Sequence, residues 1–125
     1  MSAEIPGEAY LFFGDKVDLI PIFEKLAACM SEKFPDATLR VQKSMLSWLD
    51  PTPFCYSAIR SRTKMMLSFS FAVQLDSPRI FAATEPYPGR WTHHVLVSSP
   101  EEIDGELMEM ISMAHAFRRS LKRGN

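Results

Sequence analysis

The chain is short of the residues that most often announce a chemistry. Only five glycines occur among 125 residues, and none falls in a GxGxxG or Walker pattern. A backbone cradle for phosphate is therefore not written into it. Its two cysteines, Cys29 and Cys55, stand in apolar surroundings without metal-ligand spacing. Free buried thiols in a reducing cytoplasm are the reading that fits. Histidine is equally scarce: His93, His94 and His115 form no HxH or HxxE spacing, so no metal or other cofactor is expected. No serine occupies a GxSxG elbow. The longest mostly apolar run, MMLSFSFAV, is too short to span a bilayer. The opening MSAEIPGEAY has no basic segment followed by an apolar one, and so does not read as a signal peptide. Net charge is −1, which supplies no global field for nucleic acid or an anionic membrane.

What is present is patterning. A hydrophobic content of 46% and a charged content of 23% suit a single domain over 1–125 with a sizeable core. Nine prolines sit at joints between apolar segments. Val17, Ile20, Phe23, Met30 and Phe34 recur at helical steps, predicting a helix over 18–34 with Asp18 as N-cap and Pro21 in the first turn. An irregular turn is expected at 14–17. TLRVQK alternates as a strand, but Leu46 and Trp48 fall out of phase with Leu39 and Val41. The chain must therefore bend near 43–45. Strands are expected in FCYSAIR, KMMLSFSFAV and WTHHVLVS. Residues 80–84 fit a short strand or one helical turn, and EPYPG reads as a turn. Ser99-Pro100-Glu101-Glu102 has the residue order of a helix start, and Ile103, Leu107, Met110, Ala114, Phe117 and Leu121 form a narrow apolar seam behind it. Consecutive strands on short loops imply an antiparallel meander. The expected fold is a two-layer α+β domain, a mainly antiparallel sheet of about five strands flanked by an N-terminal and a C-terminal helix.

Several of these segments carry a resemblance. FFGDK ahead of a helix, RVQKSMLSW, Phe54, LSFSF, LDSPRI, GRWTHHVLV and the final EEIDGEL…AHAF together resemble an uncharacterised prokaryotic family of small α+β domains, some joined to predicted transport or nuclease-like proteins. The resemblance spans nearly the whole chain. It implies a fold and leaves the activity unassigned.

The candidate site follows from residue chemistry. In a strand, neighbours point to opposite faces, so His93 and His94 cannot share one ligand, and one of them is expected to pack and hydrogen-bond near the core. Lys43 falls at a core-facing parity where the strand pattern breaks. Arg79 and Arg90 each follow a proline-containing turn, a rigid mount for a guanidinium fork that suits carboxylate or phosphate. Lys43, Arg79, Arg90, His93 and His94 are the ligand-binding candidates, as an anion-accepting cleft in a small binding or interaction module. The reading from another class is a small enzyme with a histidine general acid/base and Lys/Arg charge stabilisation. The partner is then a small anionic ligand or a protein. A third reading is a homodimer formed through an apolar strand face or through Met108, Met110 and Met113. Basic clusters at Arg60-Arg62-Lys64 and in RRSLKR are solvated ends rather than a nucleic-acid footprint.

Overall fold

A computed structural model describes residues 7–123, with the side chains of Lys122 and Arg123 outside the description. The first six residues, part of the segment read above as lacking a signal sequence, also lie outside it. A short helix α1 (Gly7–Leu11) leads through Gly14, whose φ of 56° suits a residue without Cβ, to a 3-10 turn at Val17–Leu19. Helix α2 spans Ile20–Lys33. Pro21 stands in its first turn, where no intrahelical N–H is lost, but Leu19 rather than Asp18 holds the cap position. The expected start at 18 is thus a 3-10 turn that tightens into the helix.

Six strands follow: β1 (Thr38–Val41), β2 (Leu46–Leu49), β3 (Pro53–Ile59), β4 (Met65–Phe71), β5 (Ile80–Tyr87) and β6 (Arg90–Val97). All neighbours pair antiparallel, in the order β1-β2-β3-β4-β6-β5. The phase slip near residue 43 is a complete hairpin. Leu39 pairs with Trp48 and Val41 with Leu46, so chain reversal returns all four to one face. The undecided 80–84 stretch is strand, and it runs on through Glu85 and Pro86. Only Pro88 and Gly89 form the turn, with Gly89 at φ 75° after a proline, the order a type II turn requires.

Strand order is where the structure departs from a simple meander. The β5–β6 hairpin is inserted backwards, so that β6 lies between β4 and β5 and residues 72–79 must cross it. The crossing takes place on the helix side. Leu75 of this segment packs against the core cluster, and its N–H donates to Nε2 of His93 at 2.9 Å.

The core lies between the helices and one sheet face. Trp48, Cys55, Met65, Leu67, Phe69, Val95 and Val97 are buried on that face, against Phe23, Leu26 and Met30 of α2 and against α3 (Gly105–Arg123). From α3 come Leu107, Met108, Met110, Ile111 and Ala114. Two of the methionines offered for self-association, Met108 and Met110, are therefore spent in this chain's own core. The opposite sheet face has no helix on it: apart from Ser47, its residues are half-buried or exposed.

The start of α3 also differs from expectation. Pro100–Glu102 forms only a 3-10 turn, and α3 begins at Gly105. The carboxylate of Asp104 caps it, accepting from the Leu107 N–H at 3.1 Å. Burial of Cys55 pushes its thiol up to about 12, so it stays protonated and inert.

Phe23 joins the layers, with its ring 5.4 Å from that of Phe13 and 6.3 Å from Trp48. Phe23→Ala is expected to cost about 3–5 kcal/mol. Urea unfolding should show this as a lower midpoint at unchanged m.

Candidate functional site

Five side chains were singled out by their chemistry, and the structure puts them in different places. His93 is fully buried on the core face. Its ring stacks on Phe69 at 5.7 Å and its Nδ1 lies 3.4 Å from the Phe69 carbonyl oxygen. Because Nε2 accepts the Leu75 N–H, the proton of the neutral ring sits on Nδ1. Burial holds the ring below the usual histidine range, the Phe69 carbonyl opposes this, and His94 adds a smaller push downward. A protonated Nε2 would also face a donor.

Arg79 anchors the far end of the same crossover. It pairs with Asp104 at 2.6 Å, lies 3.7 Å from Glu106, and donates to the Glu102 carbonyl. Ser77 adds a hydroxyl bond to Glu106 at 3.3 Å. The guanidinium fork thus fastens residues 72–79 to the start of α3, and its donors are engaged within the chain. The carboxyl of Asp104 falls below its usual range, first through the Leu107 N–H and then through Arg79.

His94 faces the other way, onto the uncovered side of the sheet. Its Nδ1 lies 2.7 Å from Ser68 Oγ on β4, its register partner, and its ring centre is 6.2 Å from that of Phe81. Partial burial lowers its pKa, which keeps the ring neutral near pH 7. Arg90 begins β6 at the hairpin, with its guanidinium carbon 5.8 Å from the centre of the Tyr87 ring. An open cleft of about 380 Å³ lies there, lined by Tyr87, Pro88, Gly89, Arg90, Phe117 and Leu121.

Lys43 is exposed in the β1–β2 turn, near the opposite sheet edge. Two strands lie between β2 and β6, so three spacings of ~4.8 Å put them roughly 14 Å apart. Arg79 and Arg90 sit beside opposite ends of α3, against Asp104 and in the cleft with Phe117 and Leu121. The five do not share one cleft. His94 and Arg90 remain closest in kind, on one strand and about 13 Å apart.

The structure adds a cluster that the sequence reading missed. His115 Nε2 lies 2.8 Å from one oxygen of Asp50, and Arg119 lies 3.2 Å from the other. The imidazole ring is flanked by Phe34 at 4.5 Å and Phe54 at 4.9 Å. His115 and Arg119 are four residues apart and so share one helix face, which is the only part legible beforehand. The cluster pins the β2–β3 loop to α3. No group of three or more His, Cys, Asp or Glu is arranged to hold a metal among the described residues.

A family model described as a domain of unknown function, DUF5655, matches residues 10–118. The chain belongs to this family. The matched region runs from the end of α1 through most of α3, so in this DUF5655 domain it includes the crossover, the open sheet face and the hairpin cleft. No curated protein and no solved structure matches the chain.

Two outcomes test this geometry. His93 and His94 both have lowered values in the fold, so below about pH 6.5, their ordinary value, the unfolded chain takes up protons that the folded one refuses. Stability should be flat above that point and fall as pH drops beneath it, by at most about 1.4 kcal/mol per pH unit per proton. Denaturant midpoints from pH 8 to 5 measure this, and His93→Gln with His94→Gln should flatten the slope. Asp50→Ala leaves His115 and Arg119 unpaired and is expected to cost about 1–3 kcal/mol in the same assay.

Proposed function

We propose that this DUF5655 domain is a binding module for a small anion, received in the cleft between the β5–β6 hairpin and the C-terminal half of α3. The observation that carries the reading is Arg90. Among the described residues no carboxylate lies within ion-pair distance of it, and it lines an open cleft with a tyrosine ring beside it. Tyr87 and Phe117 provide aromatic walls, which suit a planar carboxylate or an aromatic phosphate over a bare ion.

Lys43 and Arg79 contribute nothing to this cleft, and His93 serves the fold. A cytoplasmic setting and the prokaryotic family context form part of the same proposal, and the two unpaired thiols, Cys29 and Cys55, support the former.

Thermal shift with phosphate, benzoate and phenyl phosphate against neutral phenol tests the proposal. A ligand at 100 times its Kd adds about 2.7 kcal/mol of stability, a rise in Tm on the order of 10 °C for a chain of this size. Arg90→Gln should abolish the rise, with unliganded Tm little changed. If phenol shifts the protein as much as the anions do, the guanidinium has no part in recognition and the reading fails.

A further inference from the structure

We propose that Ser68 is a nucleophile and His94 its general base, acting on small uncharged activated esters at the open face of the sheet. The geometry comes from strand register. Ser68 and His94 are cross-strand partners, and Oγ to Nδ1 is 2.7 Å, the contact a serine needs for its proton to be taken as it attacks. Both side chains are half-buried on the face that no helix covers, so a substrate reaches them without any rearrangement of the core.

The neighbouring register pairs differ on the two sides. Toward one end lies Met66 opposite Leu96, an apolar pair, with Phe81 beside the imidazole. Toward the other lies Ser70 opposite Thr92, two hydroxyls one pleat away, at about 7 Å. An acyl or aryl group thus meets apolar surface on one side of the pair and two hydroxyls on the other. Strands β3, β4 and β6 carry no aspartate or glutamate, and Glu85 of β5 accepts from the Gly89 N–H at the hairpin. The imidazole therefore has no carboxylate from these strands to stabilise its charged form. This limits the pair to esters whose leaving group departs readily as an anion, such as a phenolate.

The step balances without a further reactant. Ser68 Oγ bonds to the acyl carbon, the hydroxyl proton passes to His94 Nδ1, and the ester C–O bond breaks. The imidazolium then returns the proton to the departing phenolate. Water attacks the acyl-serine as His94 accepts its proton, the acyl–Oγ bond breaks, the imidazolium returns that proton to Ser68 Oγ, and the carboxylic acid leaves.

Incubation with p-nitrophenyl acetate, followed by peptide mapping by mass spectrometry, tests the proposal. An acetyl group is expected on Ser68, absent in Ser68→Ala and formed at least tenfold more slowly in His94→Gln. The wild-type acylation rate should rise with pH and level off once His94 is neutral. Ser68→Cys keeps a nucleophile in place and should label at the same position. Circular dichroism confirms that each variant is folded. Acetylation confined to lysines, or labelling of Ser68 that His94→Gln leaves unchanged, would overturn the assignment.

Discussion

One hydrogen bond in the core organises much of this structure, the one from the Leu75 N–H to the imidazole of His93. Because the β5–β6 hairpin enters backwards, the chain between β4 and β5 has to pass over β6 on the side where the helices pack. A backbone N–H carried into that layer leaves water behind and needs an acceptor. His93 supplies one at the strand being crossed. At the far end Arg79 joins the segment to Asp104 and Glu106, so the crossover is held by an imidazole at one point and a guanidinium at another. With the crossover fixed, β6 completes the buried face through Val95 and Val97, and α3 has a floor for Leu107, Ile111 and Ala114.

This arrangement divides the polar residues by face. Of those pointing toward the helices, His93 serves as an acceptor and Cys55 as a protonated thiol. Those pointing away stand on a sheet side that no other layer covers. There Ser68, Ser70, Thr92 and His94 form a polar row beside apolar Met66, Leu96 and Phe81. A second exposed region lies at the hairpin end, where Arg90, Tyr87 and Phe117 come together. Binding at the hairpin and chemistry on the open face are thus separable, because they depend on different side chains of one strand.

Much of the fold was legible in periodicity. The buried faces of α2, β4 and β6 follow from spacing, because a helix or strand exposing one side to water must alternate in step with its own geometry. Opposite placement of His93 and His94 follows from the same rule and needs no other information. The phase slip at Lys43 signalled a change of direction, though whether bend or hairpin depended on which strand Leu39 would meet. The cap of α3 was misplaced because Ser99-Pro100 has the right local chemistry. Asp104 does the same work three residues before Leu107, and Ser99 instead bonds Glu102.

Sequence by itself determined the two-layer α+β class, the antiparallel pairing, the burial of one histidine and the outward placement of the other. All of these depend on residues close together in the chain. Tertiary structure alone decided the order β4-β6-β5, the engagement of Arg79 with acids about 25 residues away, the Asp50–His115–Arg119 cluster, and the contact between Ser68 and His94. Each pairs residues far apart in sequence, and the strength of such a contact depends on distance and solvent exposure that no local pattern encodes. Arg79 and Arg90 make the point most simply. Both follow a proline turn, yet one is clamped by carboxylates and the other stands in a cleft.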